Sequence, residues 1–211
     1  MVKVYFRLRR GWKRLNKDAQ QQVRQYLLSQ RRADGYLNAG GQVDAYYTQF
    51  GKLLECIVNS HFSILNSQIK PLVVKESMGR DTIYGQFFAF MSGNKPQIPQ
   101  LKPQTSTAVC CVLAMQHQMG EPVDTTLVSW LKERQDETGG FRASEVAPVP
   151  DLLSTAVALF TLWLIGEHPQ STSRFIEAHW LDMGSFAPTL LDEYSDVEYL
   201  FYGLLALGSD E

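Results

Sequence analysis

Three thiols, four imidazoles and one dense group of carboxylates are the residues of this 211-residue chain whose types could do chemistry. Thiolates and imidazoles at fixed short spacing hold zinc, but Cys56, Cys110, Cys111, His61, His117, His168 and His179 show no ligand spacing. An odd number of cysteines with one vicinal pair is a poor disulfide framework. The three read as buried free thiols in a reducing compartment. Asp192, Glu193, Asp196 and Glu198 could imitate a metal–diphosphate site, although a solvated loop followed by a helix cap explains them more simply. No phosphate-binding loop, dinucleotide fingerprint or nucleophile elbow is present. No catalytic residue, metal ligand or cofactor site is therefore assigned.

The elements that position these residues come from an internal repeat. Trp130-Leu131 is followed by Gln135 and then Gly139-Gly140-Phe141. Phe175-Ile176 is followed at the same spacing by Trp180 and Gly184-Ser185-Phe186, and Gln30 precedes Asp34-Gly35-Tyr36 in a partial copy. After each Gly-x-aromatic element, a loop reaches an aspartate that opens an apolar run, at Asp44, Asp151 and Asp196. A carboxylate there accepts from free backbone N–H groups of the first turn, so all three are expected N-caps. A weaker copy, Ser106-Thr107-Ala108-Val109, matches Ser154-Thr155-Ala156-Val157 with Pro103 at the cap position. The spacing predicts inner helices over 44–60, 105–118, 151–165 and 196–208. Amphipathic outer helices are expected over 17–32, 80–92, 123–135 and 170–181, with an insertion within 60–78. Gly140 and Gly184 are expected in turns with positive φ.

The charge is polarised. Residues 1–32 carry ten Lys or Arg against Asp18, whereas from Glu121 onward there are sixteen acids and four bases. Such polarity suits an acidic partner at one end or attraction between the two ends. Basic residues interrupt the start before any apolar run develops, so no secretory signal is expected and a cytoplasmic location is. The longest apolar stretch, 152–165, is too short to span a bilayer, so an integral membrane protein is not expected. Val2, Val4, Phe6 and Leu8 alternate with polar or basic residues, a period of two that could add a strand to another chain's sheet. A coil, or a helix beginning near Trp12, fits equally well. The expected organisation is a basic segment over 1–16 and a single repeat domain over 17–211.

The aromatic-Leu-x-x-x-Gln-x-x-x-Gly-x-aromatic pattern at Trp130 to Phe141 resembles the repeat of squalene and terpenoid cyclases. The Gly-Gly-Phe, loop, Asp-x-x-Ser/Tyr-Thr order is similar to that of protein prenyltransferase β-subunits. The resemblance implies an all-α, α/α-toroid-like fold with about four outer/inner helix pairs forming a partial ring. It also implies chemistry that this chain lacks. Prenyltransferase β-subunits hold zinc with an Asp and a Cys two residues apart at one inner-helix start and a His at another. Here those positions carry Tyr46, Leu153 or Glu198, and Tyr47, Ser154 or Tyr199. Class II cyclases use an Asp-rich acid, and Leu152 and Leu153 occupy the places it would need after Asp151.

The leading expectation is a non-catalytic helical subunit that binds a protein partner or a second copy. An incomplete ring leaves the last helix without a covering hairpin, so Phe201 and Leu205 are expected at an interface, together with Val4, Phe6 and Leu8 of the N-terminal strand. The alternative is an isoprenoid- or lipid-binding protein whose inner helices line a pocket with Tyr47, Thr48, Thr155, Tyr199 and Tyr202. A superfamily enzyme of altered chemistry is a third reading, and nucleic-acid binding is not expected.

Overall fold

The computed structural model describes residues 2–59, 83, 86–87, 98, 102 and 104–210, and it is mostly helical. Each long helix after α1 begins where a short polar side chain can take up its first free N–H groups. Helix α1 spans Val2–Arg14 and α2 spans Lys17–Gln30, the latter capped by Asn16. Strands β1 (Arg31–Arg32), β2 (Gly35–Leu37) and β3 (Val43–Asp44) form a small antiparallel sheet ahead of α3 (Ala45–Val58). Helices α4 (Ser106–Met119), α5 (Thr125–Lys132) and α6 (Leu152–Ile165) follow. The described chain closes with α7 (Ser173–Ala178), the hairpin β4 (Trp180–Leu181) and β5 (Ser185–Phe186), and α8 (Val197–Ser209). Asp44 caps α3, Asp151 caps α6 and Asp196 caps α8, with N–H···O distances of 2.7–2.9 Å for the shortest bond of each. Thr105, not Pro103, caps α4. Apart from Ile83, Gln86 and Phe87, the helix expected over 80–92 lies outside the described residues, as does the insertion placed within 60–78.

Three units of helix, hairpin and core helix share one internal design. The hairpins pair Arg31 with Tyr36, Gln135 with Phe141 and Trp180 with Phe186, and each closing aromatic is buried. Seven residues past the aspartate cap, the core helix carries Gly51, Ala158 or Gly203. A Cβ at Gly51 would lie 2.3 Å from the Tyr36 ring, and one at Gly203 would lie 2.1 Å from the Phe186 ring. The aromatic thus packs directly on the core-helix backbone. Gly184 has φ 90°, as expected, but the positive φ of the other turn belongs to Gly139, at 87°. Gly140 is small for a different reason: a Cβ there would meet the Phe175 ring at 2.3 Å.

Contacts between units order the core helices as α4, α6, α8 and α3. Ser106 N–H donates to Ala143 O at 2.8 Å, and Leu152 N–H donates to Pro188 O at 2.9 Å. Each loop thereby touches the start of the preceding core helix. The Gly139 turn abuts Ser171 and Thr172, the entry to α7, and the Gly184 turn abuts Gln22 and Val23 of α2. The first unit in sequence therefore lies beside the last in space.

Helix α1 corrects the strand expected at the N-terminus. Helical winding gathers Tyr5, Leu8 and Trp12 on one buried face, which alternation would have split between two faces. This face lies on α8 at a backbone crossing: a Cβ at Gly208 would sit 1.8 Å from Arg7 O, and one at Gly11 would sit 1.9 Å from Leu204 O. The last helix is consequently covered by its own chain. Phe201, Leu205 and Leu8 are buried within it, so they are not the open interface expected of them, and Val4 is half-buried against the same core. Of the five expected interface residues, only Phe6 is exposed, at 54%.

The basic residues of this region have a local role. Buried Arg7 donates to Gly208 O at 2.9 Å and stacks 3.6 Å from the Trp163 ring centre. Arg14 donates to Leu207 O and Asp210 O at 2.7 Å, and Arg24 donates to Val58 O at 3.2 Å. Cations thus meet the unpaired carbonyls at the C-terminal ends of α8 and α3, where the helix dipole favours them. Buried Asp210 completes this end, accepting from Thr172 N–H, the Thr172 hydroxyl and the Ser173 hydroxyl at 3.1, 2.7 and 2.5 Å.

Candidate binding site at the N-terminal ends of the core helices

The opposite ends of the helices are built differently. The caps Asp44 and Asp196 place the first turns of α3 and α8 side by side, and Tyr46 Oη donates to Glu198 Oε1 at 2.7 Å across them. The Tyr46 ring meets Tyr47 at 5.5 Å and Phe50 at 5.0 Å between centroids, and Phe50 continues to Phe201 at 5.0 Å and Tyr202 at 6.1 Å. These edge-on contacts fix the rings in a continuous aromatic floor. Tyr46, Tyr47, Glu198, Tyr199 and Tyr202 are all half-buried.

The electrostatics of this floor are set by burial and carboxylates. Burial, then the neighbouring Asp196, Glu198 and Asp44, push the Tyr47 phenol up to about 12. Burial first, with Glu198 contributing, likewise raises Tyr46, Tyr199 and Tyr202. Burial also raises the Asp196 carboxyl against the pull of the Glu198 and Tyr199 N–H groups. The phenols stay neutral at physiological pH, as donors and apolar surface rather than nucleophiles. Cys111, whose field reaches Tyr202, is raised by burial, and Cys110 is pushed up to about 12, so neither offers a ready thiolate. Among the described residues, no group of three or more His, Cys, Asp or Glu side chains could hold a metal ion.

The five expected pocket residues divide. Tyr47, Tyr199 and Tyr202 come together here, joined by Tyr46, Phe50 and Glu198. Thr48 and Thr155 do not line the floor. Their hydroxyls accept from Tyr36 N–H at 2.9 Å and Phe141 N–H at 2.8 Å, pinning each hairpin to its core helix. Their position four residues past the cap is thus structural, and Leu200 occupies it in the last unit.

The segments ahead of three core helices expose large apolar side chains: Val43 of β3, then Val146 and Val149, then Leu190, Leu191 and Tyr194. Leu191 is 84% exposed and Val146 90%, high values for side chains held in tight loops. Asp192 Oδ2 fixes the last loop by accepting from Thr189 N–H at 3.1 Å and the Thr189 hydroxyl at 2.7 Å. The repeat could have revealed this rim in the sequence, because loops at one place in each unit emerge on one face. A separate recess of about 250 Å³ lies between α5 and the end of α6, beside the Lys132–Glu167 ion pair. It shares no residue with the floor.

No family model matches the chain, and comparison with curated proteins gives no significant match. Among the described residues, no helix is long and apolar enough to cross a membrane.

Proposed function

We propose that this chain is a non-catalytic helical subunit of the α/α-toroid type, similar to prenyltransferase β-subunits and terpenoid cyclases in its repeat. In this reading the row α4–α6–α8–α3 is an arc of the toroid's inner layer. The subunit works in the cytoplasm and binds a protein partner on the loop rim. The observation that carries the reading is the exposure of Leu190, Leu191 and Tyr194, with Val146, Val149 and Val43, from the segments that precede three core helices. Apolar side chains gathered at one end of a repeat array suit a protein interface. The protonated phenols and thiols supply no nucleophile, which favours binding over a reaction.

The half-buried tyrosines favour one second reading, an isoprenoid or lipid ligand lying on the floor, with Tyr199 and Tyr202 orienting its polar end. Native mass spectrometry of the protein recovered from its source cell separates the two. A protein-sized added mass, lost in Leu191→Asp, is the expected result. A lipid-sized mass kept by that variant supports the second reading, and a bare wild-type chain overturns both.

A further inference from the structure

The outward face of α1 carries positive charge only. At 100° per residue, Arg9 and Lys13 fall on one side of Phe6 and Lys3 and Arg10 on the other, while Tyr5, Leu8 and Trp12 face the core. The helix contains no acid. Lys3, Arg10 and Lys13 are exposed, as is Lys17 at the start of α2. The cations of this region fall into two groups. Arg7, Arg14 and Arg24 are bonded to helix-end carbonyls and Arg10 also interacts within the chain, whereas among the described residues Lys3, Arg9, Lys13 and Lys17 take part in no ion pair. The second group is not needed to hold the fold. Phe6 stands in its midst, 54% exposed, where a surface selected only for solubility would carry a polar side chain.

We propose that this face of α1 docks on an anionic lipid bilayer, with the Lys and Arg side chains reaching the headgroups and Phe6 inserted between them. The helix is about 20 Å long and convex. It offers neither a groove to follow a nucleic-acid backbone nor the series of aromatic platforms on which successive bases stack. A flat, negatively charged surface matches a row of cations around the exposed Phe6 ring. The overall charge of −2 does not oppose this: salt screens exposed charges beyond about 8–10 Å, and Asp210, which lies beside α1, is held by Arg14, Thr172 and Ser173. Docking by α1, which lies over the C-terminal end of α8, leaves the loop rim at the other end of that helix free. The proposal is independent of the partner reading.

Co-sedimentation of the full chain with phosphatidylcholine vesicles, with and without phosphatidylserine, tests it. Binding to the serine-containing vesicles alone, released by raised salt, is expected. Lys3→Gln and Lys13→Gln should each weaken binding about fivefold, the factor for one cation near an anionic surface. Phe6→Ala should weaken it on the order of tenfold at unchanged charge. All three sites are exposed, and unchanged circular dichroism and melting would establish that the variants fold. Equal binding to neutral vesicles, no loss with Phe6→Ala, or binding to single-stranded DNA or polyglutamate without binding to vesicles would overturn the proposal.

Discussion

At their C-terminal ends, α8 and α3 meet cations from the start of their own chain, and Arg7 and Asp210 there are both buried and bonded. At their N-terminal ends the same helices are capped locally by Asp196 and Asp44, and what surrounds the caps is left half-buried or bare. Both arrangements satisfy the helix dipole. Only one uses distant sequence to do so, and that end is spent on stability. The other end caps α3 and α8 from the adjacent residue, which leaves side chains around the caps available to a ligand. Function is accordingly sought where the chain satisfies its helices most cheaply.

Substitutions can break this contrast, and the largest effect belongs to the sealed end. Gly208→Val places a side chain where the Arg7 carbonyl already stands, and should cost about 3 kcal/mol by urea unfolding. Arg7→Met keeps the volume but strands Gly208 O and loses the Trp163 stack, for a cost of about 2 kcal/mol in the same measurement. A loss below the error of the fit in either variant would mean that α1 does not hold this end closed.

Alkali sharpens the comparison from the other side. The phenols of Tyr46, Tyr47, Tyr199 and Tyr202 are raised on folding, so the stability linked to their protonation is complete below pH 10, the unfolded value. It is lost as pH rises from there through about 12 for Tyr47. The arginines of the sealed end keep their charge throughout this window. Phenolate absorbance should therefore rise late and together with loss of helicity, whereas ordinary titration near pH 10 with an intact fold would mean that the floor is open to water. The smallest change is expected from Leu191→Asp. Its side chain is 84% exposed, so melting should move by no more than surface substitutions usually do, about 0.5 kcal/mol, while partner binding is lost.

Local signals made the core helices legible. An aspartate followed by an apolar run marked the starts of α3, α6 and α8, and the Gly-x-aromatic elements marked the turns before them. The fourth start was displaced by two residues because Thr105 does by hydroxyl what the other caps do by carboxylate. Reading α1 failed for a nonlocal reason. Its buried stripe includes Arg7 and Gly11, which look like surface and flexibility until the carbonyl and backbone they meet, some two hundred residues away, are known. The same limit applies to Thr48 and Thr155, whose partners are hairpin N–H groups that a linear reading cannot assign. Tyr46 and Glu198 are not legible as a pair, because 152 positions separate them and no local pattern joins them.

The Arg7–Gly208 bond joins residues 201 positions apart. During synthesis at about 5–20 residues per second, α1 therefore leaves the ribosome about 10–40 s before the helix it packs on. Through that interval Tyr5, Leu8 and Trp12 lack α8, their principal cover, although Arg24 of α2 can already stack on Trp12, and closing the contact with α8 afterwards has an entropic cost of about 5 kcal/mol. Contacts this distant in sequence are slow to form and leave apolar surface exposed meanwhile. Chaperone dependence in the cell should track the first fourteen residues more closely than any of the repeats.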